Sequence, residues 1–367
     1  MPCVYEIVRD HARFAAIEPA WRELWQRSDA SVFQSHVWIT ACLEDVRLHI
    51  GLAWQNDRLL AVLPLTIRYR AGLRVLEWAG QQFSDYCDAL AEPKHDVLVH
   101  YLWRHAYRAG GFDLIWLKQV AHGANFYPLT KTWRAGDCCL QIINYGSLTG
   151  ESWFRSLNKK TRNNHLRGQR ILGQSGQLVF REVSDGQIDP LLMWASDLKR
   201  DWLAKHHQTS PLLRTDGTNA LTGLVHALAS LGALRVFLLE CADQPVAISV
   251  NVVQNQVMLA FFATYDPRFE RGSPGIVLMT EYTKWAFDQG IKTVDYLRGE
   301  EPYKFTFANE SVHMASLIAA KTLRGSLGLM VYRLKNSHQT LERPALGSAY
   351  RTANGMLRQP VLSSSTA

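Results

Sequence analysis

Apolar positions along this chain switch between helical and strand spacing in an order that occurs twice. In the first half, Trp21, Leu24 and Trp25 recur at helical intervals. Ser31-Val-Phe-Gln-Ser35 then leads into Val37-Trp-Ile-Thr-Ala-Cys-Leu43, where Ser35 is placed to cap a second helix. Gly51-Leu-Ala-Trp54 and Leu59-Leu-Ala-Val-Leu-Pro-Leu-Thr-Ile67 read as two strands flanking a polar hairpin turn, Gln55-Asn-Asp-Arg58. Asp85-Tyr-Cys-Asp88 falls in a loop, a helix is predicted over about 95 to 109, and Phe112-Asp-Leu-Ile-Trp-Leu117 reads as a buried strand.

The second half begins with a basic segment near 152 to 172, followed by helices predicted around 187 to 207 and 217 to 231. Three strands follow, Leu234-Arg-Val-Phe-Leu-Leu-Glu240, Pro245-Val-Ala-Ile-Ser-Val-Asn-Val-Val253 and Val257-Met-Leu-Ala-Phe-Phe-Ala263, the first two joined by the turn Cys241-Ala-Asp-Gln244. A crossover helix from about Gly275 to Gln289 returns the chain to a strand at Thr293-Val-Asp-Tyr-Leu297. This order predicts an α/β (α+β) fold with a mixed, mostly antiparallel sheet. In the crossover helix Leu278, Tyr282, Trp285 and Ala286 share one face, and Glu281, Lys284 and Asp288 another. Gly290 supplies the stop, so a surface helix packed on the sheet is expected.

A length of 367 residues suggests two domains, placed at 1–150 and 151–325, with an extension over 326–367 whose end, from about Leu357, is expected to be loose. Hydrophobic residues make up 47% and there are 12 Trp, enough for a core in each half. The formal charge of +7 favours an anionic partner without the density of a dedicated nucleic-acid binder. Six scattered cysteines without Cys-x-x-Cys spacing point to reduced, mostly buried thiols. The start lacks a signal-peptide pattern and no apolar run reaches spanning length, so a cytoplasmic protein without a transmembrane segment is expected. His206-His207 lacks a completing ligand, so no metal is expected.

Chemistry concentrates in three places. Arg271-Gly-Ser-Pro-Gly275 opens the crossover helix, where Gly272 and Gly275 let an anion approach the main chain and Arg271 adds a full charge, although Pro274 removes one N–H donor. In the basic segment Lys159, Asn163, Arg167 and Arg170 fall on one helical stripe with Lys160 beside it, and Trp153, Phe154, Leu157, Ile171 and Leu172 fall opposite. A concentrated positive face of this kind suits a nucleotide-linked sugar, coenzyme A phosphates, an anionic glycan or a tRNA backbone; no recognition-helix or zinc motif accompanies it, which argues against sequence-specific DNA reading. Asp295-Tyr-Leu-Arg-Gly-Glu-Glu-Pro-Tyr-Lys304 puts carboxylates, a phenol and an ammonium at a strand end. There Glu300 or Glu301 would act as base and Tyr303 or Lys304 as proton donor or oxyanion partner, in a wet cleft, with Asp295 orienting the segment. Asp85 and Tyr86 are the acceptor-side candidates of the first half.

From about Trp21 to Phe307 the sequence resembles the tandem acetyltransferase-like family described as BioF2-like or CelD-like, related to the GNAT superfamily and the Fem aminoacyl-tRNA-dependent transferases. The resemblance is carried by Ser31-Val-Phe-Gln-Ser-His-Val-Trp38, Leu63-Pro-Leu65, Ser84-Asp-Tyr86, Leu157-Asn-Lys-Lys-Thr-Arg162, Leu172-Gly173, Tyr265-Asp-Pro267, Ser273-Pro-Gly275 and Asp295 to Lys304. It implies tandem GNAT-like domains, the first degenerate and on the acceptor side. In the second, Arg271, Gly272, Ser273 and Gly275 stand where the family seats the pyrophosphate of acyl-CoA. It also implies acyl transfer, acetyl above all, to an amine or hydroxyl of a sugar, polysaccharide precursor or small metabolite in envelope or exopolysaccharide synthesis. Lys160 and Arg167 would then bind substrate or tRNA. A Fem-like transfer from aminoacyl-tRNA to a cell-wall precursor, and a noncatalytic binding protein with a decayed donor site, stand as alternatives.

Overall fold

The computed structural model describes residues 3–44, 46–93, 95–129, 134–213 and 220–336; residues 337–367, most of the expected extension, lie outside the described residues. The strands up to residue 143 are β1 (Val4–Val8), β2 (Arg47–Leu48), β3 (Ile50–Gln55), β4 (Arg58–Leu63), β5 (Leu65–Arg70), β6 (Leu73–Trp78), β7 (Leu90–Ala91), β8 (Leu114–Ala121) and β9 (Arg134–Ile143). Beyond them come β10 (Leu178–Glu182), β11 (Leu234–Cys241), β12 (Gln244–Gln254), β13 (Val257–Tyr265), β14 (Thr293–Arg298) and β15 (Glu310–Ala320). The helices are α1 (His11–Ala16), α2 (Glu18–Gln26), α3 (His36–Cys42), α4 (Asp96–Ala109), α5 (Gly150–Ser156), α6 (Lys159–Leu172), α7 (Ile188–Lys205), α8 (Ala220–Ser230), α9 (Pro274–Asp288) and α10 (Leu323–Asn336).

Both expected hairpin turns form, with Asn56 and Asp57 at φ 50° and 59° and Ala242 and Asp243 at φ 49° and 60°. Two left-handed central residues match the twist of the flanking strands. The segment Leu59 to Ile67, expected as one strand, is two. Pro64 has no N–H to give a ladder, so the chain breaks there: β4 pairs with β3 in a four-stranded sheet, and β5 pairs with β6 in the large one.

The basic segment also breaks, at Leu157-Asn158, where the Asn158 side chain accepts from the Thr161 N–H at 2.9 Å and starts α6. Trp153 and Phe154 therefore belong to α5. The buried side of α6 is Thr161, His165, Gly168 and Leu172. α9 is more enclosed than a surface helix. Nine of its residues are buried, and Glu281, expected on a polar face, takes hydrogen bonds from Gln169 at 3.1 Å and His165 at 3.0 Å across the contact with α6.

The large sheet runs β10-β11-β12-β13-β14-β9-β15-β8-β6-β5-β2. β9 lies between β14 and β15, and β15 pairs with β9 and β8, so the sheet continues through both halves of the sequence. β13 and β14 run parallel for only three pairs, Val257 to Thr293, Met258 to Val294 and Leu259 to Asp295. Beyond Leu259 they part, and the chain leaves β13 toward α9. This divergence is what positions the site.

Candidate active site

After β13 the chain makes a short turn before α9. The Asp266 side chain accepts from the Arg268 N–H at 2.9 Å and fixes its start. Gly272 is buried against α6. A Cβ there would lie 2.5 Å from Leu172 Cδ2, and a Cβ on Gly168 would lie 2.6 Å from the Gly272 carbonyl oxygen. These two glycines let the helix and the loop touch backbone to backbone, which is a packing role for Gly272. Ser273 is left-handed at φ 49°, and its carbonyl accepts from the N–H groups of Ile276 and Val277 at 3.0 and 3.1 Å. Pro274 has no N–H. The Gly275 N–H makes no hydrogen bond among the described residues, so it is the free backbone donor at this helix start.

A cleft of about 290 Å³ opens beside this turn. Thr161, Asn164, Arg167, Gly168 and Ile171 of α6 form one wall, and Arg271, Ser273, Ile276 and Val277 the other, with Thr306 and Phe307 closing it. Arg167 and Arg271 are exposed and carry no ion pair among the described residues, and no lining residue is acidic. Two features separated by about a hundred residues in sequence thus meet at the positive end of α9. Lys160 is exposed on α6 but does not line the cleft.

A second cluster joins the halves. Tyr86 Oη donates to Asp295 Oδ2 at 2.5 Å, Gln141 Nε2 donates to the same oxygen at 2.7 Å, and the Leu297 N–H donates to Oδ1 at 2.7 Å. Leu297 is left-handed at φ 57° where the β14 to β9 register shifts between Asp295 and Arg298. Just past this irregularity, Arg298 Nε donates to Asp85 Oδ1 at 2.5 Å. Burial pushes the Asp295 carboxyl above its ordinary range, opposed by the hydrogen bonds from Tyr86 and Gln141. Burial, and then Asp295, push the Tyr86 phenol far above its usual value, so it stays neutral and donates. Burial works against the charge of Arg298, and Asp85 outweighs it.

The Tyr-Lys turn lies between these two places. Lys304, expected as a cleft ammonium, is only 6% exposed: its Nζ donates to the Arg298 carbonyl at 2.7 Å and pairs with Glu301 at 2.9 Å. It closes the end of β14, where Arg298 still pairs with Cys139 of β9. Tyr303 is 44% exposed, with its phenol pushed up to about 12 by desolvation and by Glu301. Glu300 is exposed and accepts from the Cys138 thiol at 3.5 Å. The cleft and the Tyr86–Asp295 cluster share no residue. The turn connects them, since Lys304 holds Arg298 while Thr306 and Phe307 line the cleft.

Arg298, Gln141 and the His165–Glu281 clamp were not singled out from sequence. Gln141 had a usable signal, a lone amide inside the apolar run Cys138-Cys-Leu-Gln-Ile-Ile143. Among the described residues no group of three or more His, Cys, Asp or Glu is placed to hold a metal ion.

Residues 159–305 match the family model described as an acetyltransferase (GNAT) domain, a span that holds both walls of the cleft and the Tyr-Lys turn, with Thr306 and Phe307 just beyond it. The fold as a whole is similar to that of FemX, at 9% identity over 87% of this chain and 98% of that one, with a TM-score of 0.56. It is also similar to L-PGS from Bacillus licheniformis, at 10% identity, 88% and 96% coverage and a TM-score of 0.55. A third likeness is to the C-terminal domain of a putative lysylphosphatidylglycerol synthetase from Agrobacterium fabrum, at 13% identity, 86% and 95% coverage and a TM-score of 0.54. At such identities the likeness is one of fold. No curated protein matches the chain. The molecule has a mixed α/β fold of GNAT type.

Proposed function

We propose that the protein moves an acyl group, acetyl in the simplest case, from acyl-CoA to an amine or hydroxyl of a sugar, polysaccharide precursor or small metabolite. The observation that carries this reading is the cleft in which Arg167 and Arg271 converge on the start of α9. Its charge and the free Gly275 N–H suit the donor's phosphates, and the divergence of β13 from β14 leaves strand backbone free to align the donor's amide arm. The acceptor meets the thioester from the side of Asp85, Tyr86 and Arg298. Its nitrogen or oxygen forms the new bond to the acyl carbon and gives its proton to a carboxylate, Glu300 being an exposed one without an ion pair among the described residues. The carbon–sulfur bond breaks and the leaving thiolate takes a proton from Tyr303. Lys304, neutralised by Glu301, holds the Arg298 carbonyl and positions the turn.

One observation favours a second reading. Lys159, Lys160 and Arg170 are exposed on α6 outside the cleft, more charge than a pyrophosphate needs, and suit the backbone of a charged tRNA, as in Fem-like transfer to a cell-wall precursor. Titration calorimetry with acetyl-CoA and with aminoacyl-tRNA separates the two. The acyl-CoA reading expects saturable binding of acetyl-CoA and little tRNA affinity. Tight tRNA binding that falls steeply with salt would replace it with the second. Binding of neither would leave a protein whose donor site has decayed.

A further inference from the structure

The outer face of α10 is apolar where a surface helix ought to be polar. The helix packs on the sheet through the buried Leu329, through Tyr332 against Trp116, and through Gly325 and Gly328, where a Cβ would lie 2.0 Å from the Asp113 carbonyl oxygen and 2.3 Å from Leu73 Cδ1. At 100° per residue the opposite face holds Leu323, Leu327, Met330 and Leu334, which are 87%, 63%, 53% and 64% exposed. Val331, 48% exposed, widens this stripe. By the same spacing Arg324 and Arg333 fall on its two sides. Both are exposed and neither forms an ion pair among the described residues. The helix contains no Asp or Glu.

We propose that α10 docks this protein on an anionic membrane surface, with the Leu-Met stripe in the acyl boundary and the arginines at the headgroups. An apolar stripe bordered by cations on both sides is what a helix lying in a lipid interface requires, because the long basic side chains reach back to the phosphates while the stripe leaves water. The length agrees. Fourteen residues extend about 21 Å, too short to cross a bilayer, and no described helix is long and apolar enough to span one. Charge selects this occupant over a second copy. Two α10 helices face to face would bring arginines against arginines with no acid on either, whereas an anionic surface complements them. Residues 321–367 add to the attraction, holding seven Lys and Arg against one acid, Glu342, and so nearly all of the chain's net +7.

The test is co-sedimentation of the full chain with phosphatidylglycerol-containing vesicles and with pure phosphatidylcholine vesicles, at low and high salt. Binding is expected to the anionic vesicles, to weaken with salt, and to fall at least about tenfold in the double variant Leu327→Asp, Met330→Asp and also in Arg324→Gln, Arg333→Gln. All four side chains are exposed, so melting temperatures should match the wild type and a loss of binding is not a loss of fold. Failure of the wild type to bind anionic vesicles, equal binding to neutral ones, or variants that bind as well as the wild type would each overturn the proposal. So would a wild-type dimer in light scattering that Leu327→Asp, Met330→Asp converts to monomer, which would assign the stripe to a second copy. None of these readouts depends on the donor, so the proposal stands or falls apart from the acyltransferase reading.

Discussion

Asp295 is held by three donors, one each from a loop residue, a neighbouring strand and the backbone of its own strand. Tyr86→Phe removes the phenol that reaches it from the other half of the sequence while keeping the ring, and leaves a carboxylate 1% exposed with one fewer partner. A loss of about 1.5–3 kcal/mol in urea unfolding is expected, the usual worth of one hydrogen bond to a carboxylate. The Tyr-Lys turn divides in the same way. Tyr303→Phe removes an exposed hydroxyl, so it should lower turnover roughly tenfold to a thousandfold with an unchanged melting temperature. Lys304→Met is expected to lower both, because it removes a buried hydrogen bond to the Arg298 carbonyl and leaves Glu301 without its cation. Steady-state assays run beside thermal melts check the pair. A Lys304→Met protein that melts like the wild type would return the ammonium to solvent.

At the scale of elements, the contact between α6 and the start of α9 rests on Gly168 and Gly272. Gly168→Val places carbon against the Gly272 carbonyl, so it should push the cleft walls apart and reduce both stability and donor affinity. Gly275→Val differs. A Cβ there meets the Tyr265 ring at 3.5 Å, an ordinary contact, so the fold should persist while acetyl-CoA affinity falls, because the side chain crowds the Gly275 N–H. Calorimetry and melting read together separate the two glycines, and equal acetyl-CoA binding by wild type and Gly275→Val would remove the phosphate seat from this loop. A second joint ties the start of α10 to β6. Asp113 accepts from Arg74 at 2.9 Å and 3.0 Å and from Thr322 at 3.1 Å. The hydrogen bonds from Arg74 hold its carboxyl well below the ordinary range, against opposing burial. A carboxyl whose folded pKa is depressed contributes stability that is complete above its unfolded value, about 3.9, and is lost as pH falls through the folded one. Asp113→Asn should therefore cost about 1–2 kcal/mol at neutral pH. That difference should shrink below about pH 4 in denaturant titrations.

The whole molecule is tied together by one sheet. β9, from residues before 150, sits between β14 and β15, from residues after it, and the Tyr86–Asp295 and Asp85–Arg298 hydrogen bonds cross the same junction. A single cooperative transition is expected in calorimetry, with van't Hoff and calorimetric enthalpies in agreement. A fragment of residues 151–325 lacks the strand that separates β14 from β15 and should show no cooperative melt, although it spans the whole GNAT match. Independent folding of that fragment would mean that the shared strand is dispensable.

The local rules were legible in the chain. Asn56-Asp57 and Ala242-Asp243 make their turns, and the apolar spacing around Leu278 and Tyr282 makes its helix, because periodicity and turn geometry are set within a few residues. The candidate donor side was legible for the same reason, since a glycine turn entering a helix from a strand is a local arrangement. Pairing partners distant in sequence were not. That β9 inserts between β14 and β15, that Arg298 meets Asp85, and that Glu281 points at His165 instead of at water depend on which surfaces the packed sheet and helices bring together. Lys304 shows the difference most directly. Its sequence neighbours are acidic and turn-forming, which reads as solvent, whereas the tertiary fold ends β14 beneath it and gives its ammonium a carbonyl to cap. Composition and spacing settle what each segment becomes, and only long-range packing settles what each polar group faces, because a buried donor takes whichever acceptor the fold delivers.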